Sequence, residues 1–228
     1  VVLNTTEHWT VVFDRTNGQL RFYKEGALDA TLTPTFPTVT VDQTNTVYIG
    51  REIEGGNTRR LSAYLWDVRV YNRALSATEV IANYHGNVTR TGIVGEWLLN
   101  GTAEDTSGNG NHGVIYGGAQ FEPPVPGYFG AGLKFDGVDD YVNCGTAVPA
   151  HNTAGTIEID CQIDAVGGLF SRSIGGNWVD QRCVLHFYAQ GGKLDCTLSN
   201  GATHGNHVSA SIIPTKRRVH LAVTYDST

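Results

Sequence analysis

Residues 9–23 read WTVVFDRTNGQLRFY, two β-rich runs separated by a turn signal. In the first run a bulky apolar side chain recurs at every second position from Trp9 onwards, which is typical of a strand with one buried face. The dipeptide Asn17-Gly18 favours a tight type I′ turn, because such a turn needs positive φ at both central positions. The stretch therefore predicts a β-hairpin in which Asp14 lies opposite Arg21.

Strand signals of the same kind recur along the whole chain. Glycine accounts for 28 of the 228 residues, about 12 %, against a typical usage of about 7 %. Many short strands joined by Gly-rich turns indicate an all-β fold, an antiparallel jelly-roll β-sandwich. Further strands are predicted at residues 46–50, 64–71, 95–99, 133–135, 156–163, 184–189, 194–199 and 219–225.

One short helix interrupts this pattern. Ser76 followed three residues later by Glu79 is a capping box, in which each side chain caps a backbone N–H of the first turn. Leu75 and Val80 are spaced to form a hydrophobic staple, and Gly86 favours the left-handed conformation that ends a helix. We predict about two turns of helix between Ser76 and Gly86.

The two ends of the chain carry an internal repeat. Residues 8–16 align with residues 220–228, and the shared positions include a histidine, a valine, an aspartate and a threonine. The apolar alternation is also shared, so the repeat indicates two copies of one strand.

Composition excludes several classes of protein. The formal net charge is −6, and its acidic excess lies in residues 91–228, which argues against nucleic-acid binding because phosphates require a basic surface. No apolar run is long enough for a membrane helix, so we expect no membrane insertion. Methionine is absent, and we expect the chain to be a piece of a longer protein.

The cysteines give no metal-binding pattern. The four residues lack C-x-x-C spacing, and two of them, Cys161 and Cys196, alternate with apolar neighbours as buried thiols do. Free core thiols and disulfides both remain open, since sequence alone does not fix a pairing.

Five motifs resemble the laminin G-like, concanavalin A-like jelly-roll family. The motifs that open such a module are GIVGEWLL at residues 92–99, DTSGNGNHG at residues 105–113 and LKFDGVDDYV at residues 133–142. The motifs that close it are VYIGR at residues 47–51 and WDVRVYNRALS at residues 66–76. The resemblance implies a concanavalin A-like sandwich.

The closing motifs precede the opening motifs in this chain. We therefore interpret residues 1–88 as the C-terminal half of one module, residues 89–92 as a linker and residues 93–228 as the N-terminal part of a second module. Half a sandwich exposes an apolar face and unpaired strand edges. Either the two parts close on each other as a permuted sandwich, or each pairs with a neighbouring module or another copy of the chain.

Acidic, Gly-rich loops in the second part are candidate calcium sites. Calcium takes six to eight oxygen ligands from carboxylates, amides and carbonyls, and the resemblance implies a structural calcium ion near these loops. The predicted ligands are Asp105, Asn109, Asp136, Asp139 and Asp140, with Asn111 beside them and Asp67 as a weaker candidate. The alternative is that these residues only form turns.

A catalytic site is not predicted. The segment Glu158-Ile159-Asp160-Cys161-Gln162 is similar to the E-x-D-x-E strand of jelly-roll glucanases, in which two carboxyl groups share the acid/base and nucleophile roles. Gln162 occupies the second catalytic position and cannot exchange a proton. We therefore expect a protein that is not an enzyme.

Loop aromatics are the candidates for a sugar site. Trp178, Tyr116 and Tyr128 are the predicted ligand-binding residues, whereas Trp9, Trp66 and Trp97 fit apolar strand faces. Packing in turns is the alternative for each.

The sequence favours a non-catalytic adhesion module that binds a glycan or a surface protein. With the resemblance, this implies a multidomain extracellular or cell-surface protein. The alternative is a structural building block of a surface filament or virion, and a glycoside hydrolase is disfavoured by Gln162.

Overall fold

A computed structural model describes residues 7–14, 19–24, 26–33, 46–54, 57–123, 131–146, 154–173, 182–188, 192–199, 204–209, 212–216 and 218–226. In residues 1–88 the elements are β1 (Glu7–Asp14), β2 (Gln19–Lys24), β3 (Ala27–Leu32), β4 (Thr46–Ile49), β5 (Arg51–Glu54), β6 (Asn57–Arg60), β7 (Ser62–Tyr71) and α1 (Ala77–Tyr84).

The remaining strands follow residue 92. They are β8 (Ile93–Trp97), β9 (Val114–Tyr116), β10 (Gln120–Glu122), β11 (Gly132–Asp136), β12 (Tyr141–Asn143), β13 (Ala154–Ala165), β14 (Gly167–Ser173), β15 (Arg182–Tyr188), β16 (Lys193–Ser199), β17 (His204–Val208) and β18 (Arg218–Asp226). The predicted strands are all present, and their ends differ from the predicted ones by at most two residues.

Two sheets make up the sandwich. The nine-stranded sheet has the order β10-β11-β7-β13-β18-β1-β2-β3, with β8 also paired to β7. The seven-stranded sheet has the order β17-β16-β15-β14-β4-β12-β9, and β5 and β6 form a separate hairpin. Nearly all pairings are antiparallel. The predicted all-β, antiparallel fold class is confirmed.

Strands from both parts of the chain mix in each sheet. In the nine-stranded sheet β7 pairs with β8, β11 and β13, and in the seven-stranded sheet β4 pairs with β12 and β14. Residues 1–88 and 93–228 therefore pair with each other within one chain. The assignment of these two parts to two tandem modules stays a prediction.

The core lies between the two sheets. Side chains that alternate along the central strands are fully buried there, including Ile49, Leu65, Trp97, Phe135 and Ile159. Trp97 also satisfies its only polar atom, because its indole Nε1–H donates to the carbonyl of Asn111 at 2.8 Å. Burial of these large apolar side chains is the main force that holds the sheets together.

The repeated strand segments lie side by side. β1 pairs with β18 in parallel, and the register sets His8 opposite His220 and Val11 opposite Val223. These are the same pairs that the sequence repeat aligns, so the two copies of the strand are hydrogen-bonded neighbours.

The first hairpin differs from its predicted register. β1 and β2 pair antiparallel as expected, but Asp14 lies opposite Gln19, and Arg21 lies opposite Val12 instead of Asp14. Four residues rather than two thus separate the last paired positions. The shift is by two residues, which is one full period of a strand.

The helix forms as the sequence indicates. Ser76 is the N-cap and makes the capping box with Glu79, and Gly86 follows the helix with φ of 81°. Leu75 and Val80 are both buried in a small cluster with Tyr71. The helix thus packs on the outer face of the nine-stranded sheet.

Trp66 is buried as predicted, at 6 % exposed, but a β-bulge places it outside the main core cluster. Asp160 pairs with Asp67 and Cys161 pairs with Leu65, which leaves Trp66 as the extra residue of β7. Its ring lies against Tyr64, at a centroid distance of 6.2 Å, and the Arg218 guanidinium lies 4.8 Å from its centroid. The side chain of Trp9 lies outside the described part of the chain.

Two of the four cysteines have described side chains. Cys144 and Cys161 are buried free thiols, and burial raises the pKa of each well above its ordinary value. These two residues are therefore part of the apolar core.

Candidate functional site: an acidic loop beside a tyrosine cluster

The turn between β11 and β12 gathers three carboxylates. We call residues 136–140 the acidic loop; it begins at Asp136 and turns at Gly137, where φ is 83°. Carboxylate oxygens of Asp136, Asp139 and Asp140 all lie within 4.8 Å of one another. Three of the five predicted metal ligands are thus brought together.

Asp140 is the buried member of the acidic loop. It is 4 % exposed, and its Oδ2 accepts a hydrogen bond from the backbone N–H of Asp136 at 2.9 Å. Its Oδ1 is buried and has no hydrogen-bond partner. Burial raises the pKa of Asp140, and the nearby charges of Asp136 and Asp139 raise it further. A bound cation would relieve this repulsion and supply the missing partner, so these residues fit calcium.

A glycine lets the chain after β9 approach the acidic loop closely. Gly117 has φ of 84°, and a Cβ at this position would lie 2.5 Å from the carbonyl carbon of Asp139 and 2.6 Å from the Cα of Asp140. Only glycine adopts this conformation at low cost and leaves room for that backbone contact. The acidic loop is therefore held against the edge of the seven-stranded sheet.

Three tyrosines lie on the outer face of this sheet, next to the acidic loop. Tyr48, Tyr116 and Tyr141, here called the tyrosine cluster, alternate with inward side chains such as Ile49 and Val142. Tyr141 and Tyr116 are cross-strand partners and stack with ring centroids 4.8 Å apart and planes 5° apart. Tyr48 meets Tyr141 edge to face at 5.7 Å, and Tyr116 is 44 % exposed.

Two arginines adjoin the tyrosine cluster. Arg51 and Arg60, here called the arginine pair, are cross-strand partners at the base of the β5–β6 hairpin. Their guanidinium carbons lie 4.5 and 5.0 Å from the ring centroid of Tyr141, and Arg51 lies 4.8 Å from that of Tyr48. Burial lowers the pKa of Arg60, and the charge of Arg51 lowers it further.

Asp105 does not join the acidic group. Its two oxygens accept three backbone hydrogen bonds at 2.9 Å, from the N–H groups of Glu96, Ser107 and Asn111. Burial alone would raise the pKa of Asp105, but these hydrogen bonds outweigh burial and hold the pKa below its ordinary value. Its geometry is that of a carboxylate that organises a loop.

The two predicted amide ligands contact β8, and Asn109 also contacts its own loop. The Nδ2 of Asn109 lies 3.1 Å from Ser107 Oγ and 3.4 Å from the carbonyl oxygen of Ile93. Asn111 is buried, and its Nδ2 donates to the carbonyl of Val94 at 2.8 Å. The Oδ1 of Asn111 is buried and has no hydrogen-bond partner within the described residues.

The strand with the glucanase-like spacing lies on the other sheet. Glu158 is 0 % exposed, and its two carboxylate oxygens accept from Asn83 Nδ2 at 3.0 and 2.9 Å. Asp160 is buried too and pairs with the Arg218 guanidinium. Helix α1 carries Asn83 and covers Glu158.

Asp67, the weaker metal candidate, belongs to an ionic network on that same face. Arg69 lies between two carboxylates, with its Nη2 3.0 Å from Asp67 and its Nε 3.2 Å from Glu96. Burial raises the pKa of Asp67 to about 6 against the opposing charge of Arg69. Asp67 thus has a cationic partner within the protein.

Sequence reasoning found one member of the tyrosine cluster and missed four neighbours. Tyr116 was predicted, whereas Tyr48, Tyr141 and the arginine pair were not. The alternation of Val47, Tyr48 and Ile49 was the available signal, because it sets the tyrosine on the face away from the core. The other predicted sugar-binding residues, Trp178 and Tyr128, lie outside the described residues.

Comparison with known proteins finds a family model that is similar to the first part of the chain. Residues 1–81 match a laminin G family model, described as the Concanavalin A-like lectin/glucanases superfamily. The match confirms the predicted resemblance there, and the antiparallel sandwich agrees with it. No curated protein and no solved structure gives a significant match. Within the described residues, no helix has the length and apolar character needed to cross a membrane.

Proposed function

We propose that this concanavalin A-like β-sandwich is a non-catalytic module that binds carbohydrate on the tyrosine cluster. The observation that carries the proposal is the parallel stack of Tyr116 and Tyr141 on the outer face of the seven-stranded sheet. Tyrosine rings offer an apolar face with a polar tip, which suits the apolar face and hydroxyl rim of a sugar ring. The partly exposed ring of Tyr116 leaves such a face open.

The acidic loop is the proposed calcium site of this module. Asp136, Asp139 and Asp140 would supply carboxylate oxygens, and the unpartnered Oδ1 of Asp140 supports this choice. Bound calcium would neutralise the three carboxylates and fix the loop beside the tyrosine cluster. Because Asp140 must lose its proton to bind the ion, calcium affinity should fall in acid.

The absence of catalysis is part of the proposal. It is supported by Gln162 in the sequence and by the burial of Glu158 beneath α1. A catalytic carboxylate must contact the bond that it cleaves. The test is glycan hydrolysis by the parent and by the Glu158→Gln variant. If the parent hydrolyses a glycan and the variant does not, this part of the proposal is wrong.

The family also supports an extracellular or cell-surface setting, as a module of a multidomain adhesion protein. The alternative role in a filament or virion requires segments that pair with other copies. In the described sheets the two parts of the chain pair with each other, and this favours the binding module.

The binding proposal is tested with a glycan array followed by calorimetry on the best ligand. We expect Tyr116→Ala and Tyr141→Ala each to weaken binding about tenfold, which corresponds to about 1.4 kcal/mol. Tyr64→Ala is the matched control, because Tyr64 stacks on Trp66 at the outer face of the opposite sheet. Equal losses in all three variants, or no glycan bound by the parent, would refute the site.

The calcium proposal is tested by thermal unfolding with calcium and with a chelator. At a calcium concentration one hundred times Kd, the parent should gain about 2.7 kcal/mol of stability. Asp140→Asn should lose this gain, and Glu122→Gln, which removes a carboxylate paired with Lys134 on the other sheet, should keep it. If calcium leaves the parent's unfolding temperature unchanged, the acidic loop is only a turn.

A further inference from the structure

The segment after β8 carries a motif that neither the sugar site nor the calcium site uses. Residues 100–102, Asn100-Gly101-Thr102, form an Asn-x-Thr sequon, the pattern at which an N-linked glycan is attached. Two more sequons begin at Asn4, which lies outside the described residues, and at Asn87. Such a short pattern also occurs by chance, so the place of the asparagine in the fold decides whether a glycan fits.

All three residues of the sequon at Asn100 are exposed to solvent. Leu99, directly before it, is 0 % exposed and has φ of 46°, a left-handed conformation that is strained for a leucine. The chain is left-handed again at Gly101, where φ is 87° and an added Cβ would meet nothing within 4 Å. The buried Leu99 and the open space at Gly101 therefore present Asn100 at the surface.

The side-chain nitrogen of Asn100 is available for modification. Its Oδ1 accepts a hydrogen bond from the backbone N–H of Ala131 at 3.3 Å, and its Nδ2 donates to no group within the described residues. The buried residues Asn83 and Asn111 differ, because their Nδ2 atoms donate to Glu158 and to the carbonyl of Val94. Asn100 thus does not use this nitrogen to hold the described part of the fold together.

We propose that Asn100 is an acceptor for an N-linked glycan. This rests on the extracellular setting of the proposed function, because such glycans are attached to secreted proteins. The Nδ2 of Asn100 forms a bond with the anomeric carbon of an oligosaccharide that is carried on a lipid diphosphate. The bond from that carbon to the diphosphate oxygen breaks, the lipid diphosphate leaves with the bonding electrons, and the amide releases one proton.

The proposed glycan lies on a different sheet from the proposed sugar site. Asn100 follows β8 and bonds to Ala131, which precedes β11, and both strands pair with β7 in the nine-stranded sheet. The tyrosine cluster belongs to the seven-stranded sheet. A glycan is bulky and hydrophilic, so the fold accepts it only on a side chain that leaves the surface. Asn100 meets that condition.

The test expresses the whole chain with a secretion signal in a cultured animal cell line. Intact mass, before and after treatment with peptide-N-glycosidase, counts the glycans on protein from the medium and from the cells. Thr102→Ala should lower the number of glycans by one, because the hydroxyl of the third residue is part of the motif. Thr102→Ser is the matched control and should keep the glycan. An unchanged number of glycans in Thr102→Ala would overturn the proposal.

A second variant tests whether exposure decides the site. His85→Thr creates a sequon at Asn83, which is 5 % exposed and bonds to Glu158 beneath α1. Its secreted form should carry no additional glycan, because a glycan there would prevent the packing of α1; an additional glycan on folded, secreted protein would overturn the structural argument.

The glycan array keeps this proposal apart from the sugar-binding function. A chain that is glycosylated at Asn100 but binds no saccharide contradicts only the binding function. A chain that binds saccharide but has the same mass with and without Thr102→Ala, apart from the substitution itself, contradicts only the modification site.

Discussion

Replacement of Glu158 by glutamine should change how the stability of the protein depends on pH. Glu158 is fully buried on β13. Burial raises the pKa of its carboxyl to about 7, although the hydrogen bond from Asn83 and the charge of Arg69 act in the opposite direction. The ordinary value is 4.5, so the folded protein holds this proton more tightly than the unfolded chain does.

The sign of the effect follows from proton linkage. Below pH 4.5 Glu158 is protonated in both states and contributes nothing to the pH dependence. Between pH 4.5 and 7 the unfolded chain releases the proton first, so the free energy of unfolding falls as pH rises, and above pH 7 the loss is complete. A difference of about 2.5 pH units corresponds to a loss of about 3 kcal/mol.

Urea unfolding at intervals from pH 4.5 to pH 8.5 measures this contribution. The glutamine variant has no carboxyl to ionise at this position, so its free energy of unfolding should gain about 3 kcal/mol relative to the parent across this range. Glu104→Gln removes an exposed carboxylate and provides the baseline. Parallel curves for Glu158→Gln and the parent would show that Glu158 titrates alike in both states, and the reasoning would fail.

Three further perturbations test other parts of the structure. Gly117→Ala should lower the free energy of unfolding by about 1–3 kcal/mol and abolish the calcium response, because φ is 84° and the new Cβ would meet the backbone of Asp139. An unchanged midpoint of chemical denaturation would contradict the close approach of the two segments. Trp97→Ala should cost about 3–5 kcal/mol because a fully buried indole and its hydrogen bond are lost, and a loss below about 1 kcal/mol in the same assay would exclude a core role. Cys183→Ser and Cys196→Ser together leave Cys144 and Cys161 as the two thiols of the chain. Both are buried, so they should react with a thiol reagent only after unfolding. Rapid modification of the native protein would show that the core is open.

Local signals in the sequence predicted the elements of the fold well. The helix at residues 77–84 depends on contacts within a few residues, such as the capping box of Ser76 and Glu79. Strand faces follow from alternation in the same way. The register of the first hairpin was wrong because Asn17-Gly18 predicted a two-residue turn, whereas four residues separate Asp14 and Gln19.

The burial of Trp66 was predicted correctly, but its packing outside the main core cluster was missed for a different reason. Its alternation with Val68 and Val70 indicated the core, but a bulge between β7 and β13 adds one residue to β7 at this point. A bulge is a property of two paired strands. Because β13 lies far away in sequence, no local pattern in β7 could show it.

The candidate site was predictable only in part. The acidic loop is a single run of five residues, so its carboxylates were found together. The tyrosine cluster joins β4, β9 and β12, which pair across the two parts of the chain. The arginine pair depends in addition on a hairpin that follows β4. These contacts exist only once the sheet is assembled, and composition and spacing do not contain them.

The parallel pair of β1 and β18 has a consequence for the folding landscape of this chain. The two strands have matched sequences, and aligned positions such as His8 and His220 lie opposite each other. β13 pairs with β18 in the structure, and the sequence of β1 has the same apolar alternation as that of β18. The repeat thus gives β1 and β18 similar sequences for one position in the sheet. If β1 paired with β13 in place of β18, the β1–β3 meander would move by one strand position. Such an exchange between two copies of the chain would join their sandwiches through a shared strand.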